Sequence, residues 1–143
     1  EEGQTLESEF KLRVQNIVTL QEEIGPWLKL RVERIRERIQ SNFQEIQDRG
    51  RLDENRFEQE VLFYIEKLDV SEELVRLEAH CNHFVEVLHQ GVGQGKKLGF
   101  IAQEMGREIN TLGSKANDAD MQRIVVQMKD ELEKIKEQVL NAL

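Results

Sequence analysis

The chain has 143 residues, the length of one domain, and carries 28 Asp and Glu against 20 Lys and Arg, for a net charge of −8. Hydrophobic residues make up 38% and charged residues 34%, with only eight aromatic rings (six Phe, one Trp, one Tyr), a composition that suits amphipathic helices with thin apolar seams and argues against an all-β domain. No run approaches the roughly 18–20 apolar residues of a membrane span, Glu1-Glu2-Gly3-Gln4 does not read as a signal peptide, and the single Cys81 excludes an internal disulfide or a CxxC zinc module.

Residues 4–24 place Leu6, Phe10, Val14, Ile17, Leu20 and Ile24 at steps of three and four, a helical seam. Because the chain opens inside this run, it is expected to be part of a longer protein. Gly25-Pro26 predicts a stop, with Pro26 in the first turn of a second helix. There Leu28, Val32, Ile35, Ile39, Phe43 and Ile46 continue the pattern to about Asp48. Two helices of about 20 residues, roughly 30 Å each, joined by so tight a turn predict an antiparallel hairpin. Residues 1–48 are thus expected to form a stalk, and 49–143 a helical C-terminal domain.

Gly50 interrupts, and Asp53 is the expected N-cap of a helix over 54–67 with Phe57, Val61, Ile65 and Leu68 inward. Asp69 or Ser71 would cap the next helix, 71–90, with Leu74, Leu77, Cys81, Phe84, Val85 and Leu88 apolar. Gly91 to Gly95 reads as a loop. A fifth helix over 96–113 carries Leu98, Ile101, Met105, Ile109 and Leu112, and Asn117 or Asp118 opens the last. That helix has the cleanest heptad run: Met121, Val125, Met128, Leu132, Ile135 and Val139. The expected fold is all-α, a long antiparallel helical hairpin followed by a small bundle of about four helices. Long seams on so small a chain also invite pairing with another subunit.

The segment 96–115 sets Lys96, Lys97, Arg107 and Lys115 against Glu104 and Glu108, and 29–38 sets Lys29, Arg31, Arg34, Arg36 and Arg38 against Glu33 and Glu37. Either could be a solvated helix face laced with ion pairs, or a local phosphate-binding patch on an acidic body. In the fifth helix Lys97, Glu104, Glu108, Thr111 and Lys115 share one stripe, and Gln103, Arg107, Asn110 and Ser114 run beside it. Two carboxylates one turn apart suit a weak Mg²⁺ or Mn²⁺ site, with Arg107, Lys97 and Lys115 on phosphate. The plainer alternative pairs Glu104 and Glu108 with nearby bases.

His80, His83 and His89 cannot share one ion, since His80 and His89 point to opposite sides of their helix. His80 lies at the edge of the apolar face, with Arg76 one turn and Glu73 two turns earlier, which suits an acid or base near neutral pH as well as a structural hydrogen bond. Cys81 points inward and reads as core. No GxGxxG, P-loop, HExxH or GxSxG occurs.

Two stretches resemble the C-terminal half of the bacterial YicC/YloC family. They are RLDENRFEQEVLFYIEKLDVSEELVRLEAH (51–80) and GKKLGFIAQEMGREINTLGSKANDADM (95–121), the latter followed by VVQMKDELEKIKEQVLN (125–141); the opening EEGQTL is also similar. The resemblance implies an oligomeric, cytoplasmic endoribonuclease acting on single-stranded RNA with a divalent metal, and an N-terminal domain not present here. Shared polar positions map onto Glu58, Glu60, Asp69, Glu72, Glu73, Arg76, Glu78 and His80, then onto Lys97, Gln103, Glu104, Arg107, Glu108, Asn110, Ser114 and Lys115. Gly99 and Gly106 stand where the family usually has Asp and Asn, and both are expected to remove a side chain from the polar face. The resulting expectation assigns His80, Glu104, Glu108 and Arg107 to catalysis, with Glu104 and Glu108 as metal ligands. Lys97, Arg107, Asn110, Lys115 and Arg76 are assigned to RNA. The alternative is a non-catalytic oligomerisation and RNA-clamp module of a larger RNA-processing protein.

Overall fold

The structure, a computed structural model, describes residues 2–47, 54–116 and 118–142. In chain order its helices are α1 (Glu2–Gln47), α2 (Glu54–Leu68), α3 (Ser71–Leu88), α4 (Gly95–Lys115) and α5 (Ala119–Ala142), and no strand occurs among the described residues. The all-α class holds, with a long first element followed by a bundle. Two compact units form, one from Glu1–Ile24 with Val70–Leu143 and the other from Gly25–Asp69.

The hairpin expected at Gly25-Pro26 is not found, because α1 continues through it with Pro26 inside the helix. A proline removes one backbone donor, and its ring disfavours helical geometry in the preceding residue partly by striking that residue's Cβ. Gly25 has no Cβ to strike. Glu22, Gly25 and Pro26 are all exposed, so the Glu22 carbonyl that loses its donor can bond to water. Six expected helical segments therefore become five helices. The antiparallel pair in this part of the chain is instead the second part of α1 with α2, in the Gly25–Asp69 unit. Ile35, Ile39 and Val61 form its core, flanked by Phe43, Phe57 and Ile65. The Phe43 and Phe57 rings meet edge to face with centroids 5.3 Å apart. Val32, expected in the seam, is exposed. Gly50, the Asp53 cap and Asn117 lie outside the described residues.

In the other unit the first part of α1 packs with α3, α4 and α5. Phe10 and Ile17 of α1, Leu77 and Phe84 of α3, Met105 and Ile109 of α4, and Met121, Met128 and Ile135 of α5 are all fully buried. Phe10 and Phe84 pack edge to face at 5.4 Å. All six heptad positions expected on α5 are buried. The N-cap of α3 is Val70 rather than Asp69 or Ser71. Its carbonyl accepts the Leu74 N–H at 3.0 Å and its side chain is completely buried, so packing rather than side-chain capping sets where this helix starts. Glu72 and Glu73 in the first turn complement the helix dipole. The chain then turns through Gly91 and Gly93, both at positive φ, into α4.

Gly99, Gly106 and Gly113 recur every seven residues along α4 and face Val139, Leu132 and Val125 of α5. This corrects the expectation that Gly99 and Gly106 take side chains from the polar flank, since both lie on the face packed against α5. A Cβ at Gly106 would stand 3.2 Å from Leu132 Cδ2, whereas one at Gly99 would stand 3.6 Å from Val139 Cγ1, an ordinary contact. Gly99→Ala is therefore expected to stabilise the fold by about 0.5–1 kcal/mol through helix propensity. Gly106→Val should destabilise it by about 1–2 kcal/mol through overpacking. Denaturant midpoints that move the same way for both would refute this assignment of the seam.

Candidate functional site

Wound at about 100° per residue, α4 divides into four faces. Leu98, Ile101, Met105, Ile109 and Leu112 enter the core. The glycines meet α5. Glu104, Glu108, Thr111 and Lys115 turn towards α3 and are buried or half-buried. Lys96, Phe100, Gln103, Arg107, Asn110 and Ser114 form an outer face, exposed along its whole length. The two polar stripes read from the sequence thus part company. One lies at a helix–helix seam and the other faces solvent, with Lys97, at the N-terminal end of the seam stripe, also exposed.

At the seam, Arg76 of α3 donates from Nε to Glu108 Oε1 at 2.9 Å, and Lys115 donates from Nζ to Glu73 Oε1 at 2.8 Å. Arg76 also lies 3.3 Å from Glu72 and 3.8 Å from Glu73. The carboxylates are the buried members: the side chains of Glu73 and Glu108 are 6% and 7% exposed, against 47% for Arg76 and 31% for Lys115. Burial by itself would push the Glu73 carboxyl up. The Lys115 hydrogen bond, a bond to its own backbone N–H and the charges of Lys115 and Arg76 outweigh that and hold it below the usual glutamate value. Its second oxygen, Oε2, is buried and accepts no hydrogen bond from the protein. Glu73, Arg76, Glu108 and Lys115 therefore form a charge ladder between antiparallel helices.

The ladder, which already contains Glu108, points towards two more of the four residues expected to do chemistry. His80 lies one turn beyond Arg76 on α3, and Glu104 one turn beyond Glu108 on α4. Both are half-buried, and no hydrogen bond joins them to each other or His80 to Glu108. At the rim, Arg107 lies 3.5 Å from Glu104 and is 74% exposed, so it links the seam to the outer face. Asn110 is exposed. His89 faces Glu7 at 3.2 Å, away from the ladder, and His83 is exposed. In the segment 29–38 the bases do not share one face, because Arg31 is buried while Lys29, Arg34, Arg36 and Arg38 are exposed.

The two carboxylates expected to hold a divalent cation, Glu104 and Glu108, differ in what already occupies them. Glu108 already accepts the Arg76 guanidinium, and among the described residues no three His, Cys, Asp or Glu side chains converge where an ion could sit. Cys81 is fully buried. Burial, with a smaller contribution from the Glu78 charge, pushes its thiol up to about 12, which makes it core rather than nucleophile.

The fold and this seam define an all-α domain whose polar groups gather between two antiparallel helices, with no helix among the described residues long and apolar enough to cross a membrane. Over residues 24–142 the chain matches the family described as "Endoribonuclease YicC-like, C-terminal", and it belongs to that family. It is 37% identical over 142 residues to a protein of Clostridioides difficile (strain 630) named "Probable endoribonuclease YicC". It is 34% identical over 140 residues to one of the same name from Haemophilus influenzae (strain ATCC 51907 / DSM 11121 / KW20 / Rd). These matches cover 99% and 98% of the chain but 48% of each relative, so the chain spans about half their length.

Proposed function

We propose that the chain is the C-terminal helical part of an endoribonuclease that cuts single-stranded RNA, with the open end of the α3–α4 seam as its reactive site. The observation that carries this reading is that His80 and Glu104, both half-buried, continue a ladder whose other members are already paired. Paired groups hold the two helices in register, while at the end His80 bonds to neither Glu104 nor Glu108 and Glu104 meets the exposed Arg107, which leaves this end within reach of a substrate. The names of the curated relatives support the same class.

In this reading Arg107 binds a phosphate at the rim and His80 accepts the proton of the RNA's 2′-hydroxyl. The 2′-oxygen attacks phosphorus, the bond from phosphorus to the 5′-oxygen breaks, and that oxygen leaves with a proton taken from solvent water, while His80 later returns its own to solvent. Glu104 orients Arg107 through their contact. Each of these roles falls to a side chain of this chain, and no step is routed through a metal.

The test is product analysis on single-stranded RNA cut by the intact protein. Termini carrying 2′,3′-cyclic phosphate and 5′-hydroxyl are expected, and 5′-phosphate termini would overturn the 2′-hydroxyl route. The clamp alternative predicts no cleavage by the intact protein, and light scattering in which changes at the helix faces alter the assembled mass.

A further inference from the structure

The outer face of α4 is a long exposed helical stripe on which no carboxylate sits. Lys96, Phe100, Gln103, Arg107, Asn110 and Ser114 fall within an arc of about 80° and run roughly 27 Å along the helix. On a chain of net charge −8 with 28 acidic residues, six successive exposed positions without an acid set this face apart electrostatically. The stripe also holds an aromatic ring, 64% exposed, one turn from Lys96 and seven residues from Arg107. Amides at Gln103 and Asn110 offer both donors and acceptors.

We propose that this stripe is a track for single-stranded RNA, with Phe100 as the platform on which a base stacks. Lys96 and Arg107 take backbone phosphates on either side of that base, and Gln103 and Asn110 face the base edges. The composition favours this occupant over a partner helix. A helix–helix contact needs apolar residues at steps of three and four, and this stripe has one in six. The contact of Arg107 with Glu104 joins the track to the seam, so a strand held outside would reach the His80 end across that rim. This rests on the RNA reading above but concerns binding rather than cleavage, and its test separates the two.

The experiment measures fluorescence-anisotropy binding of labelled oligoadenylate and oligouridylate to the intact protein across a salt series. Phe100→Ala and Phe100→Leu are each expected to weaken binding by about 5- to 150-fold, with the larger loss for oligoadenylate, whose bases stack more strongly. Phe100→Tyr should restore wild-type affinity. Arg107→Gln and Lys96→Gln should each lower the salt slope by about one. The exposed ring makes Phe100→Leu neutral to folding, checked by thermal melting. Wild-type affinity in Phe100→Leu overturns the stacking platform while leaving the RNA reading intact. A change in assembled mass, with RNA affinity unchanged, would assign the stripe to a protein partner instead. Absence of RNA binding by the unaltered protein overturns both readings. Loss of binding in Phe100→Leu, with cleavage insensitive to His80 substitution, sustains the track and removes the proposed chemistry.

Discussion

Replacing His80 with alanine is expected to slow single-turnover RNA cleavage by the intact protein about 10²–10⁴-fold, the usual contribution of one proton-transfer group. The imidazole is half-buried at the end of the α3–α4 ladder, close enough to the surface to meet a substrate and sheltered enough to be held in place. Because no hydrogen bond ties it to Glu104 or Glu108, removing it breaks no bond of the ladder, and melting should stay within the small range of surface substitutions. The loss should appear in the rate of the chemical step, with RNA affinity little altered. Glu104→Gln should lower the rate less, since that residue acts through Arg107 at 3.5 Å. Full-rate cleavage by both variants would remove the seam from the chemistry and favour the clamp reading.

The periodic parts of this fold were legible because burial repeats. On α5, Met121 through Val139 hold a strict heptad spacing, and every position of it is in the core. On α4 the same arithmetic separated the polar stripe from the apolar one. At Gly25-Pro26 the sequence signal for a stop is local, and two features lower its cost here: Gly25 offers no Cβ for the proline ring to strike, and Glu22 is exposed, so its carbonyl can bond to water. Gly99 and Gly106 were misplaced because comparison with the family's usual residues says what is missing and not which way it would have pointed. Their register with Gly113 was the available signal, since three glycines seven apart mark a seam on one helix. The ladder was half visible. Glu73 and Arg76 lie on the side of His80, but their pairing with Lys115 and Glu108 depends on α4 returning antiparallel, which is a tertiary fact. Phe100 carries no signal in the sequence, because an aromatic on a polar stripe breaks no helical pattern.

Lys115→Met is expected to destabilise the fold by about 2–3 kcal/mol at neutral pH, measured by denaturant unfolding. Removing one partner of a buried ion pair leaves the other charge uncompensated, which costs about 3–5 kcal/mol when burial is complete. Here the carboxylate is 6% exposed but Lys115 is 31% exposed, and Arg76 still stands 3.8 Å from Glu73, so the loss falls below that range. The dependence on pH gives the sharper check. In the unaltered chain the Glu73 carboxyl is held below its usual value, so it contributes stability above the unfolded-state pKa, and that contribution fades as pH falls through the lower folded-state value. Without Lys115 the largest of the opposing influences is gone and burial gains, so the same carboxyl moves up and its penalty is relieved by protonation. The stability gap between the two proteins should therefore be widest at neutral pH and close in acid. Adding Glu73→Leu to Lys115→Met should recover much of the loss at neutral pH, because an apolar side chain in that buried position needs no partner. A gap that persists unchanged into acid would mean that Lys115 stabilises the seam through its aliphatic stem and not through the Glu73 carboxylate.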